Sequence, residues 1–238
     1  MTITPDAIVY WQLGPYAITA TLVFTWVVMA LLVLVSWLVT RRITTGARVA
    51  RGQLLLEIVV STIRAQIREV VDDDPDRYLP FVGTLFLFIV TSNVLSVVPG
   101  FHPPTGSLST TSALALCVFV AVPVFGIATH GAGAYFRTYL QPSPFMLPFN
   151  LLGEVTRTIA LAIRLFGNMM SGTMIAAIAL ALAPLFFPVL MNVLGLLIGV
   201  IQAYIFSILA LVFIAAATRA HDEKQAGAPN PTGEANRG

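Results

Sequence analysis

The sequence predicts an all-α membrane protein of about five transmembrane helices. The last two form a long, strongly tilted helical hairpin at the C-terminal end, and one cytoplasmic amphipathic helix is added. Three observations predict this. Of 238 residues, 57% are hydrophobic and only 10% charged, against about 25% charged in a soluble domain. Apolar runs near twenty residues recur five times, the length an α-helix needs to cross a ~30 Å hydrocarbon core. Finally, the basic residues lie almost entirely on alternate connections between those runs. This composition excludes an ordinary soluble enzyme, a disordered chain and a nucleic-acid binder. With one cysteine and histidines scattered at 102, 130 and 221, neither a disulfide framework nor a metal cluster is expected, and no cofactor is called for.

Residues 1–17 read as an extracytoplasmic N-terminus. No basic residue precedes the first apolar run, and that run is too long for a cleavable signal peptide. The spans fall at about 18–40, 79–98, 111–130, 151–182 and 187–217. Between the first two, residues 52–71 are amphipathic: Leu56, Val59, Val60, Ile63, Ile67 and Val70 recur on one face, and Glu57, Ser61, Arg64 and Arg68 on the other. This is a helix lying on the membrane surface, against a partner, or simply at the surface. The run Asp72-Asp73-Asp74-Pro75 stops it as a solvated turn. The Pro/Gly/Ser-rich stretch 99–110 is expected to be short and irregular. Residues 18–218 then form a single membrane domain, followed by a polar, disordered tail over 219–238.

Of the 13 Lys/Arg, Arg41, Arg42, Arg48, Arg51, Arg64, Arg68 and Arg77 lie between the first two spans. Arg137 lies between the third and fourth, and Arg219, Lys224 and Arg237 in the tail. The stretches 1–17, 99–110 and 183–186 have none. The positive-inside rule then puts the N-terminus outside and the C-terminus in the cytoplasm, which requires an odd number of spans.

The fourth and fifth spans are too long. About 32 and 31 residues give helices of ~45–48 Å, which fit a ~30 Å core only if steeply tilted or if their ends protrude into water. Pro184 and Pro188 separate them.

Two arginines and one acid lie inside the fourth span. Arg157 is near the cytoplasmic start, where it can snorkel or pair with Glu154 three residues earlier. Arg164 has neither option. It sits 13 residues beyond the start of the span, with no acid at i±3 or i±4. Glu154 is ~15 Å away along the axis. An arginine at mid-membrane costs ~2.5–3.5 kcal/mol on insertion scales. Arg164 therefore faces an aqueous cavity, or a carboxylate arrives from another polypeptide. Ala160, Gly167, Asn168, Ser171 and Gly172 would let a second helix come close. Gln202, near the middle of the fifth span, needs partners if buried. It can support Arg164 or a water chain, or it can join two helices.

The stretch Ala160-Leu161-Ala162-Ile163-Arg164-Leu165-Phe166-Gly167-Asn168-Met169 resembles the signature of subunit a of F-type ATP synthases. Ile201-Gln202-Ala203-Tyr204-Ile205-Phe206 is similar to the family's last-helix motif, and Pro104–Thr110 more loosely to its loop before the third span. The resemblance covers about residues 15–218. The strings Gly153-Glu154-Val155-Thr156-Arg157-Thr158 and Asn168-Met169-Met170-Ser171-Gly172 resemble the N-ATPase branch, whose members are suspected in many cases of moving Na⁺.

The resemblance implies a stator subunit whose tilted helix pair wraps a rotating ring of c subunits, with no catalytic site of its own. Arg164 would face the ring carboxylate, Gln202 would support it, Asn168 would line the path, and Glu154 would serve the cytoplasmic half-channel. Asn93, Ser96, Ser171, Thr173 and Arg157 are further candidates for half-channel lining. The implied partners are the c-ring, subunit b of the stator, other F0F1 subunits and membrane lipid, in a bacterial plasma (inner) membrane. Many members carry ionisable residues where this chain has Ser96, Thr173 and Gly195. Hydroxyl and amide groups there can hydrate a path but cannot titrate. The competing reading is an ion-coupled secondary transporter binding an anionic substrate at Arg164. It would need a mid-membrane pocket within this chain, usually built from short broken helices.

Overall fold

In a computed structural model, residues 9–13, 16–41, 51–71, 74–98, 100–133, 145–182 and 187–226 are described. Six long helices carry them: α1 (Ala20–Thr40), α2 (Arg51–Val70), α3 (Pro75–Leu95), α4 (Leu108–His130), α5 (Met146–Leu182) and α6 (Phe187–Ala226). Five of these, all but α2, are long and apolar enough to cross a membrane, so the chain is a multi-pass membrane protein by length and composition.

One small feature departs from an all-helical chain. Val9–Leu13 pairs antiparallel with Tyr16–Thr19, in the segment read as the extracytoplasmic N-terminus and the first two residues of the first span. Its residues, VYWQL and YAIT, are largely aromatic or β-branched and favour a ribbon.

The helix limits differ from the expected spans for local reasons. α3 starts at Pro75, four residues early, because the Asp74 carboxylate accepts from the Asp76 backbone N–H and Pro75 occupies the first turn, where its missing N–H costs nothing. α4 starts at Leu108 because Ser107 caps it, accepting from the Ser109 N–H at 3.2 Å. It ends at Gly131, whose φ of +84° suits a residue without Cβ. α5 begins at Met146, earlier than 151. α6 runs on to Ala226, so the segment after 218, expected as a disordered tail, opens as helix. Ala, Glu, Lys and Gln in that stretch are good helix formers. The 99–110 connection is less irregular than expected, since it holds a 3-10 turn at Pro104–Gly106 with Pro104, Thr105, Gly106 and Ser107 buried.

The burial of α2 is one-sided. Ile67 is buried, Leu56, Val59, Val60, Ile63 and Val70 are half-buried, and Glu57, Ser61 and Arg68 are exposed. What its apolar face meets is this same chain, because α2 packs on α3 and α6. Arg64 pairs with Asp76 of α3, and the Tyr204 hydroxyl of α6 donates to Gln66 Oε1 at 2.5 Å.

α6 is the central strut, packing along α3, α4 and α5. Two clusters lie on it. One joins Leu85, Phe88, Ile89, Leu161, Leu165, Ala203 and Phe206. The other joins Ile67, Tyr78, Val82, Leu211 and Ile214. By contrast, α1 buries only Ala20, Thr21 and Val28, and its Trp26, Val33 and Leu34 are exposed. The apolar lengths of α5 and α6, 34 and 30 residues, correspond to ~51 and ~45 Å of helix, well beyond a ~30 Å core.

Leu211 is fully buried, whereas its neighbour Val212 is 38% exposed. In detergent solution, Leu211→Ala is expected to cost about 2–5 kcal/mol through lost packing and the cavity left behind. This corresponds to a drop of roughly 5–15 °C in thermal midpoint. Val212→Ala is expected to shift the midpoint by less than about 2 °C.

Candidate functional site

α5 and α6 present the candidate residues. Along α5, Ala160, Arg164, Gly167, Asn168, Ser171 and Gly172 recur at three- and four-residue steps. All are exposed and form one outward strip. Leu161 and Leu165, roughly 60° and 100° around the helix from Arg164, are buried in the core and fix the rotation of the helix. Arg164 is therefore held on the open face by its packed neighbours. Among the described residues it makes no ion pair or hydrogen bond.

One turn beyond Arg164, Asn168 Nδ2 donates to Gln202 Oε1 across the α5–α6 contact. Gln202 is 2% exposed. Its Nε2 has no hydrogen-bond partner among the described residues, so a buried donor stands unpaired on the amide that Asn168, one turn from Arg164, holds by its oxygen. Such a group costs about 1–3 kcal/mol.

Asn93 belongs to the same neighbourhood from another side. It is 1% exposed, and its Nδ2 donates to the Gly199 carbonyl of α6 at 2.8 Å. Its Oδ1 accepts from the Thr105 hydroxyl at 3.1 Å. Both ends of this amide are thus spent inside the fold.

The other candidates are not brought to this point. Ser96 is exposed at the C-terminal cap of α3 and donates to the Asn93 carbonyl. Ser171 and Thr173, also exposed, give their protons to the α5 carbonyls of Gly167 and Met170. Glu154 and Arg157 share a small recess with Val118, Thr158 and Phe213. There the Arg157 guanidinium lies 5.8 Å from the centre of the Phe213 ring, a cation–π arrangement. Thr105, Gly199 and Phe213 were missed by sequence reasoning. A buried amide announces that it needs partners, but those partners lie on other elements, and no spacing in the sequence encodes them.

The family model described as ATP synthase A chain matches residues 22–215. "ATP synthase subunit a 2" of Acaryochloris marina (strain MBIC 11017) is 61% identical over 219 residues, covering 92% of this chain and 94% of the relative. "ATP synthase subunit a 1" of Chlorobaculum parvum (strain DSM 263 / NCIMB 8327) is 59% identical over 94% of this chain and 99% of the relative. "ATP synthase subunit a" of Albidiferax ferrireducens (strain ATCC BAA-621 / DSM 15236 / T118) is 56% identical over 94% and 97%.

The Asn168–Gln202 bond makes a non-additive pair. Asn168→Leu leaves the whole buried amide of Gln202 unpartnered and is expected to destabilise the purified subunit by about 1–2 kcal/mol. Adding Gln202→Leu replaces both partners with apolar groups and is expected to restore most of that loss. Thermal denaturation of the two single variants and the double variant checks this.

Proposed function

The chain belongs to the ATP synthase A chain family, and on that footing we propose that Arg164 is the fixed charge which couples ion flow to rotation in an F-type ATP synthase. The subunit is a membrane component of the F0 stator, without a catalytic site for ATP, and it works with the other F0F1 subunits. The secondary-transporter reading is left without support.

One observation carries the proposal: Arg164 stands exposed on the open strip of α5, mid-span, with no counter-charge among the described residues. A guanidinium stays protonated at any working pH. In a bilayer that charge needs a carboxylate, and a carboxylate from the c-ring supplies one. As a ring carboxylate approaches, Arg164 stabilises its ionised form and expels its H⁺ or Na⁺ into one half-channel. Beyond the arginine the carboxylate must reload from the other half-channel before it meets lipid, where a bare charge is costly. Ion passage without rotation is blocked by the same charge. A membrane potential supplies about 2.3 kcal/mol per charge per 100 mV.

Gln202 adds a buried donor beside the meeting point, and Asn168 holds the opposite end of its amide. Glu154 and Arg157 would line the cytoplasmic approach, with Ser171 and Thr173 further along α5 and Ser96 at the end of α3, while the buried Asn93 amide is engaged by Gly199 and Thr105. The tilt follows from helix length against bilayer thickness. The basic residues between α1 and α3 support an N-terminus outside and a C-terminus in the cytoplasm of a bacterial plasma membrane. Subunit b would complete the stator around the exposed helices.

Arg164→Lys keeps a positive charge but loses the planar fork. ATP-driven ion uptake by vesicles bearing the variant complex is expected to fall to background. Wild-type uptake would refute the role of Arg164. The motif strings that resemble the N-ATPase branch support Na⁺ as the coupling ion. Na⁺ is then expected to protect the assembled ring from carbodiimide labelling, and labelling indifferent to Na⁺ would favour H⁺.

A further inference from the structure

Asn93 holds three segments at once. Its amide nitrogen grips the Gly199 carbonyl at 2.8 Å, and its amide oxygen is held by Thr105 from the 3-10 turn at 3.1 Å. The grip depends on glycine. A Cβ at position 199 would lie 2.9 Å from Asn93 Nδ2 and 3.0 Å from its Cβ and Cγ, so the Asn93 side chain would have to shift to admit it. The φ of Gly199 is not in the positive range, so glycine serves the close approach here and not the backbone conformation.

Gly199 precedes Gln202 by three residues, ~4.5 Å along the helix and on nearly the same side. Sliding or turning α6 by one residue would bring the side chain of Ile198 or Val200 against Asn93 and forfeit the Gly199 contact. The joint therefore admits one register of α6 against α3. Gln202 in turn bonds Asn168, one turn from Arg164.

We propose that Asn93 is a positioning residue: by gripping the Gly199 carbonyl while Thr105 holds its other end, it fixes the depth and rotation of the α6 turn that carries Gln202. The Gln202 amide is thereby set at the height where Arg164 meets a ring carboxylate. This inference rests on the reading of Arg164 and Gln202 above.

The test uses membrane vesicles carrying the whole ATP synthase, with proton and sodium uptake measured per ATP hydrolysed and the amount of assembled complex measured separately. Thr105→Val, which removes one hydroxyl with little change of shape, is expected to lower the uptake-to-hydrolysis ratio two- to threefold. Asn93→Ala lowers it fivefold or more, and Gly199→Ala tenfold. Combining Gly199→Ala with Asn93→Ala makes room for the new methyl group and brings the ratio back up to the level of Asn93→Ala alone. A merely structural joint would change the amount of complex and leave the ratio unmoved.

An unchanged ratio in Thr105→Val and Asn93→Ala overturns the proposal, as does a double variant no better than Gly199→Ala. If Gly199→Ala fails to assemble, the other two single variants decide. Arg164→Ala run in parallel separates the two levels. Normal uptake there defeats the reading of the arginine, whereas its loss alongside unchanged ratios elsewhere defeats the positioning role alone.

Discussion

A guanidinium cannot shed its proton to enter hydrocarbon, so Arg164 obliges everything around it to manage a permanent positive charge. The core residues flanking it in sequence leave it no inward escape. Leu161 and Leu165 are buried where α5 packs on α4 and α6, and their packing turns Arg164 outward. The acids within the described spans are Glu154, ten residues away in sequence, and Asp76 at the start of α3, which pairs with Arg64. The fold therefore presents a charge and withholds its counter-ion, an arrangement that makes sense only in an assembly where the counter-ion comes and goes.

The neutral polar groups divide into two kinds by how completely their hydrogen bonds are closed. Ser92, Ser171, Thr173 and Ser207 return their protons to carbonyls of their own helices, the usual way hydroxyls are carried through a membrane. Asn93 closes both ends of its amide on other elements. Gln202 closes one end and leaves the other open. In a low-dielectric interior an open donor is expensive and a closed network is rigid. Asn93 therefore behaves as a joint, while Gln202 keeps a valence for whatever comes to Arg164.

Much of this was legible in the chain because membranes impose coarse, one-dimensional rules. Five spans followed from run lengths. The isolation of Arg164 followed from counting acids within the spans. The misses have a common origin. Caps such as Asp74 and Ser107 shifted helix starts by a few residues, a matter of one hydrogen bond each. The ribbon at Val9–Leu13 lies where apolar runs are too short to have a clear period. The partners of Asn93, 12 and 106 residues away, depend on how helices cross. Sequence reasoning marked Asn93 for a water-lined path from its polarity alone. The structure gives that polarity a mechanical use.

Exposure of an isolated membrane subunit is of two sorts, and residue size separates them. On α1 the exposed positions are Trp26, Val33, Leu34 and Trp37, large side chains that lipid tails solvate well. On α5 the strip through Arg164 runs Ala160, Gly167, Asn168, Ser171 and Gly172, which offers lipid little surface and several polar groups. Small residues bring another backbone within reach, and a reachable backbone can deliver a carboxylate to Arg164 while lipid cannot. The large apolar side chains of α1 therefore mark a face for the bilayer. The small and polar residues around Arg164 leave room for a neighbouring protein to approach, the ring on the reading proposed above, while Ile163, Met174 and Ile175 show that α5 also exposes large apolar side chains.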